Sequence, residues 1–310
     1  MPGAYGTSTG LSPRAPVAAG NRSGDGCIAC AHRAVASRRR ALGAQRLTGR
    51  LLEGIALAAA VALAARRARA LSTSGAIAAA VVGALAVTAG WVWAVVLIAH
   101  FIVASGLSRF GAERKARRTA SMIAKSGERD AIQVLANGGV FGLTALGFIL
   151  FPLHPWFTAG AGAIAASAAD TWATEIGMLA RGSPRTIRTL RRVPPGTSGA
   201  ISGAGTVAMI VGAAFVALIA YLFHSPGTLV AGIFIGGVAG AIADTALGAT
   251  VQERRRCLGC GEHTERRIHV CGSRTQRSGG IKGIDNDVVN LLATIVGSAV
   301  AVGFVDVAVR

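Results

Sequence analysis

Charge is scarce in this chain. Only 15% of its 310 residues are Asp, Glu, Lys or Arg, against about 25% in ordinary soluble domains, and the deficit points to lipid. Aromatic residues are few as well, at 5%. The apolar majority is therefore Ala, Val, Gly, Leu and Ile, and small residues let membrane helices approach closely. Acid is rarest of all, with 14 Asp and Glu against 32 Lys and Arg. Residues 47–310 contain no Gly-x-Ser-x-Gly, HExxH, Gly-x-Gly-x-x-Gly or Walker A pattern, so serine hydrolase, zinc protease, dehydrogenase and P-loop chemistry have no support there.

What the chain does have is apolar runs. Mean hydropathy is +0.52, and candidate spans fall at 51–65, 73–90, 91–107, 137–153, 158–180, 199–223, 228–250 and 288–306. Runs of about 20 apolar residues are the signature of membrane helices. The expected fold class is an all-α polytopic bundle with seven or eight spans and a small Cys/His loop at 252–285. Residues 1–46, rich in Gly, Ser, Arg and Pro, read as a disordered extension or an over-extended start site, and 47–310 as the membrane domain. The run 51–65 has a basic front like a signal peptide, but Arg66, Arg67 and Arg69 stand where small cleavage-site residues belong. It reads as a short span.

The net charge of +18 does not imply nucleic acid, because the basic residues lie in loops without interleaved aromatics or a binding motif. Stretches 66–70, 109–129, 181–192 and 254–282 carry three, seven, five and eight Lys or Arg, while the turns near 90, 154–157 and 224–227 carry none. That alternation predicts cytoplasmic basic loops and an outside C-terminus in a bacterial or archaeal cell membrane. The Arg-rich N-terminus conflicts with it: either 51–65 does not cross, or its charge preference is overridden.

Ionisable groups inside spans are expensive and mark functional sites. Span 158–180 holds Ala169-Asp170-Thr171-Trp172-Ala173-Thr174-Glu175, and span 228–250 repeats Ala243-Asp244-Thr245 with Gly248 in place of Thr174. Asp170 and Thr174 share a face, whereas Glu175 lies about 140° round from Asp170. A straight helix would not aim both carboxylates at one spot. Asp287, Asn290 and Thr294 line one face of the last helix, and Asp130, Gln133 and Asn137 have the same spacing before 137–153. Such acids and amides either bond helix to helix or gather a hard cation such as Mg²⁺, which suits phosphate chemistry.

Two loops belong to the same face. Val193-Pro194-Pro195-Gly196-Thr197-Ser198-Gly199 follows Arg181, Arg185, Arg188, Arg191 and Arg192 and runs into an apolar helix. It reads as a phosphate cradle or as a Pro-Gly turn with Ser198 as N-cap. Cys257, Cys260, His269 and Cys271 offer four ligands for a structural Zn²⁺, with His263 competing for one place; free thiols or a disulfide are the alternatives. Cys27, Cys30 and His32 form a weaker group.

Taken in order, these segments resemble an integral-membrane family known as domain of unknown function 92, which includes animal transmembrane-protein-19-like proteins and plant phytyl-phosphate kinase. The resemblance rests on Arg129 to Gly139, Ala169 to Glu175, Val193 to Gly199, Gly240 to Thr250 and Asp285-Asn286-Asp287, and it covers roughly 50–308. Ala200 departs from the family pattern, which often has Gly there. Membership implies phosphoryl transfer from a nucleoside triphosphate, CTP first, to a prenyl monophosphate. By the same resemblance Asp170, Asp244 and Asp287 would hold Mg²⁺, with Glu175 orienting Asp170 or binding metal. Lys115, Arg129, Asp130, Asn137, Arg192 and Gly196 to Gly199 would bind phosphates. A CDP-lipid-forming cytidylyltransferase and an ion-coupled transporter are the alternative readings.

Overall fold

The structure is a computed structural model that describes residues 47–122, 127–153 and 155–310. The extension 1–46, with Cys27, Cys30 and His32, lies outside the described residues. The chain divides into the units Met1–Thr48 and Gly49–Arg310, and the second is described here.

Among the described residues the helices are α1 (Leu47–Arg67), α2 (Thr73–Ala89), α3 (Trp91–Arg109), α4 (Ala112–Thr119), α5 (Ala131–Leu150), α6 (Pro155–Leu179), α7 (Gly203–Leu222), α8 (Gly227–Thr250) and α9 (Asn286–Val309). Two short sheets join them. β1 (Arg185–Thr186) pairs antiparallel with β2 (Ala200–Ile201), and β3 (Arg254–Cys257) lies between β4 (His263–Thr264) and β5 (Thr275–Gly279).

Six helices, α1, α3, α5, α7, α8 and α9, are long and apolar enough to cross a membrane, so the expected seven or eight is corrected to six on that criterion. The two that fall short are instructive. α2 is apolar but 17 residues long. α6 has 25 residues, yet it is built of Ala and Gly with Asp170 and Glu175 in its second half. Hydropathy reports contact with lipid, and α6 has little: Thr158 to Ala169 are all buried, with α3, α5, α7, α8 and α9 packed around it.

That packing depends on missing side chains. A Cβ at Gly162 of α6 would stand 2.7 Å from the Gly297 carbonyl oxygen of α9, and one at Gly232 of α8 would stand 2.8 Å from that of Ala301. Gly232, Gly236 and Gly240 recur every fourth residue along the α8 face that meets α9, as small residues do where membrane helices cross closely.

Two helix starts differ from expectation for a local reason. α5 begins at Ala131 rather than 137, because Asp130 and Gln133 form a reciprocal capping box. α7 begins at Gly203, and its N-cap is Ser202, which accepts from the Gly205 amide at 3.1 Å. Ser198 is therefore not the cap. The polar first turn of α5 is one an apolar window passes over, whereas at α7 the apolar run extends back beyond the cap into the preceding loop.

Candidate functional site

The second halves of α6 and α8 bring Asp170 and Asp244 into side-chain contact, so the two Ala-Asp-Thr copies meet at one level. Asp244 Oδ1 is buried with no hydrogen-bond partner. Buried carboxyl groups that meet share a proton or a cation. Around them opens a basin of about 810 Å³, lined also by Glu175, by Asp285 to Asp287 at the start of α9, and by Pro195 to Ser202. Asp285 caps α9, accepting from the Asp287 and Val288 amides at 3.1 and 3.2 Å, and this holds the buried Asp287 beside the basin.

The loop before α7 is held tightly. Gly196 and Gly199 have φ of 85° and 71°, the left-handed region where glycine is unstrained. Gly199 also lies against the Ala249 backbone, and a Cβ at Gly248 would be 3.0 Å from the Gly199 amide nitrogen. This explains why the second Ala-Asp-Thr copy has Gly248 where the first has Thr174: the loop occupies that space. The Thr197 hydroxyl donates to the Pro194 carbonyl at 2.7 Å, and that of Ser198 donates to Glu265. Neither hydroxyl proton is left for a phosphate.

The expected phosphate residues divide. Gly196, Thr197, Ser198 and Gly199 line the basin; Lys115, Arg129, Asp130, Asn137 and Arg192 do not. The Lys115 ammonium donates to the carbonyls of Leu107 and Ser108 at 2.6 and 3.1 Å and to Glu175 at 2.5 Å, which engages all three of its donors. Glu175 also accepts from Ser108 at 2.6 Å, so it faces the basin from a fixed position on an unbroken helix. Asp130 is a helix cap, Arg192 is exposed, and Arg129 and Asn137 line a different cavity, between α1, α2, α3, α5 and α6.

The basin's cations come instead from the Cys/His loop. Arg255, Arg266 and Arg267 line it, and the Arg266 Nε is buried without a hydrogen-bond partner. Arg255 is paired with Glu253. Glu265, next to Arg266, accepts from Ser198 and, at 2.8 Å, from Gln252; burial pushes its carboxyl pKa up, these hydrogen bonds oppose the shift, and Asp285 adds to it. Sequence reasoning missed this set, although Glu262 and Glu265, two acids between the two metal-ligand pairs of a basic loop, were a usable signal.

Cys257, Cys260, His269 and Cys271 place their ligand atoms within 4.8 Å of one another, the one such group among the described residues. His269 Nδ1 is 3.3 and 3.2 Å from the Cys260 and Cys271 sulfurs, while His269 Nε2 is 3.5 Å from Glu262. Nε2, the ring nitrogen turned away from the sulfurs, is buried and makes no hydrogen bond. Hydrogen bonds from His269 and Ser273 bring the Cys271 thiol down to about 6, the thiolate form a metal takes. The cluster can hold a metal such as zinc. His263 sits exposed on β4 and is not part of it.

These features define an integral membrane protein of the helical class, with a polar basin at one end of its bundle. The chain belongs to the integral membrane family DUF92, whose model matches residues 56–298. It is 31% identical over 255 residues to an uncharacterized membrane protein of Methanocaldococcus jannaschii, covering 82% of this chain and 93% of that one. Protein PGR of Arabidopsis thaliana is 26% identical over 280 residues, covering 80% and 94%. An uncharacterized membrane protein of Synechocystis is 30% identical over 223 residues, covering 69% and 74%. No solved structure matches.

Proposed function

We propose that the basin binds phosphates and that the protein is a CTP-dependent prenyl-phosphate kinase. The observation that carries this reading is a complementary pair of buried atoms without hydrogen-bond partners on residues that line one cavity, Asp244 Oδ1 from the bundle and Arg266 Nε from the loop. A buried polar atom without a partner is costly, and a metal–phosphate unit answers both.

The oxygen donors of Asp170, Asp244 and Asp287 fit Mg²⁺, which binds through one or two carboxylates together with substrate phosphates. Magnesium would supply charge neutralisation across the phosphates. Arg266 and Arg267 would bind the phosphate oxygens, and the tight turn at Gly196 to Gly199 would let backbone approach them. An oxygen of the lipid monophosphate attacks the γ-phosphorus, the bond from that phosphorus to the β–γ bridging oxygen breaks, and CDP leaves. Positioning and electrostatics provide most of such catalysis. On this reading the basic loops and the basin face the cytoplasm, where nucleotide is present.

The test is purified protein with Mg²⁺, labelled CTP or ATP, and a panel of prenyl alcohols and monophosphates. Prenyl diphosphate and CDP are expected, with turnover abolished in Asp170→Asn while the protein stays folded in the membrane. Pyrophosphate in place of CDP would instead identify a cytidylyltransferase. Full activity of Asp170→Asn would remove the carboxylates from the chemistry.

A further inference from the structure

The basin has an edge between α7 and α8, and that edge is sealed at two levels. At the first, a Cβ on Gly237 of α8 would stand 2.9 Å from that of Ala213 on α7, and one turn nearer the basin Met209 of α7 packs on the cluster of Ala169, Ala213 and Ala241. At the second, the loop before α7 closes on α8, where Gly199 lies against Gly248 and Ala249. Between the two seals, Thr206 of α7 and Asp244 and Thr245 of α8 line the basin. Ala241 and Gly248, which mark the seals on α8, are about 10 Å apart along the helix axis. Thr206 lines the basin and is also exposed, as is Ile201 just before α7. The basin thus reaches the surface beside α7, as well as through the polar loops at Arg267, Gly283 and Asn286.

The chemistry of this edge differs from that of the basin behind it. The Thr206 hydroxyl donates to the Ser202 carbonyl at 3.1 Å, and that of Thr245 to the Ala241 carbonyl at 3.0 Å. Such back-bonding spends both protons on the helices themselves, and the Met209 thioether beside them is an adaptable apolar contact. Outside the edge, Val207 of α7 and Ile242 of α8 are 62% and 56% exposed, on helices long and apolar enough to cross a membrane. Inward lie the carboxylates of Asp170 and Asp244 and the side chains of Arg266 and Arg267. From the outer surface to the basin, the lining passes from apolar to charged.

We infer that the gap between α7 and α8 is the entry and chain-binding site for a single-chain lipid monophosphate, with the phosphate in the basin and the chain leaving through the gap into the bilayer. An amphiphile with an anionic head and an apolar tail matches both ends of this surface. Carbon atoms in contact stay about 4 Å apart, so one chain needs about 8 Å between walls and two chains about 12 Å. The height between the seals takes one. The inference rests on the reading that the basin binds phosphate, and adds that the lipid arrives sideways from the membrane while nucleotide arrives through the polar loops.

The experiment is photolabelling of the purified full chain in phosphatidylcholine nanodiscs with Mg²⁺, using a twenty-carbon prenyl monophosphate that carries a diazirine on its chain, followed by mapping of the labelled peptides. Label is expected on α7 and α8 around Met209, Val238 and Ile242, and unlabelled monophosphate should remove it. The corresponding prenyl alcohol should compete about tenfold more weakly, the value of a lost hydrogen bond to a charged group. Thr206→Trp and Thr245→Trp, which fill the gap from opposite sides, should each lower the competed label about tenfold, with monodisperse elution showing that each is folded. Val207→Trp, on the exposed face of α7, should leave it unchanged. Competed label on other helices, label on α7 and α8 that the monophosphate does not remove, equal competition by the alcohol, or label indifferent to both fillings would each overturn the proposal. A five-carbon prenyl monophosphate, soluble enough to enter from water, separates this site from the kinase reading. Turnover of that short substrate without competed label at the gap overturns the gap alone; competed label at the gap without turnover of either substrate refutes the kinase reading and leaves the gap standing.

Discussion

At the scale of single residues, type and position were legible but partnership was not. Asp170, Asp244 and Asp287 stand out in any reading because acids are rare and these lie at helix ends, and all three line the basin. Lys115 and Arg129 stand out equally, yet both are turned to the protein's own carbonyls, hydroxyls and Glu175. A cation's nearest anion can be 60 residues away, as Glu175 is from Lys115, so sequence cannot tell a ligand-binding cation from an engaged one. The Lys115 and Glu175 side chains are 6% and 16% exposed, and removing one partner of a buried pair costs about 3–5 kcal/mol. Lys115→Met should therefore lower the thermal midpoint in detergent, and Lys115→Met with Glu175→Gln should recover part of the loss. Glu265 allows a pH prediction. Its pKa is raised by burial, so the folded chain keeps a proton that the unfolded chain has released. Its stabilising contribution is complete below the ordinary glutamate value of 4.5 and is lost as pH rises through the raised one. Glu265→Gln should flatten that part of the stability-versus-pH curve relative to the parent, as read by thermal melts across the window.

At the scale of elements, hydrophobic runs located the long helices well, and their ends poorly. α5 and α7 start where capping residues allow, at Asp130 and Ser202, and a capping side chain contributes nothing to an apolar window. The α8–α9 contact shows what glycine spacing achieves. A Cβ at Gly232 would press on the Ala301 carbonyl, and an added side chain in close packing costs about 1–3 kcal/mol. Gly232→Val should reduce the yield of monodisperse protein and lower its melting midpoint, whereas Gly303→Val, where a Cβ meets nothing within 4 Å, should do neither.

At the scale of the whole molecule, the Cys/His module and the bundle line one basin together. The module's cluster of Cys257, Cys260, His269 and Cys271 flanks the turn that carries Glu265, Arg266 and Arg267 into the basin. Elemental analysis of the purified chain should find about one zinc per protein, and Cys260→Ser should lose it. If the basin binds nucleotide as proposed, the same substitution should weaken that binding with little change in the melting of the helical bundle, because the arginines lose their support while α5 to α9 keep their packing. A sidedness test follows from the charge pattern: Cys260 and Cys271 should react with an impermeant maleimide in metal-stripped inside-out vesicles and not in intact cells.

The sequence by itself determined the membrane class, the long apolar helices, the acids toward helix ends and the four metal-type ligands. Each of these depends on residue type and local spacing, and hydropathy, charge and knuckle spacing are local quantities. Tertiary structure alone decided which cations face the basin, why Gly248 replaces Thr174, and that α6 is sheathed by protein. Those are contacts between helices far apart in the chain, and packing, not composition, sets which side chains meet.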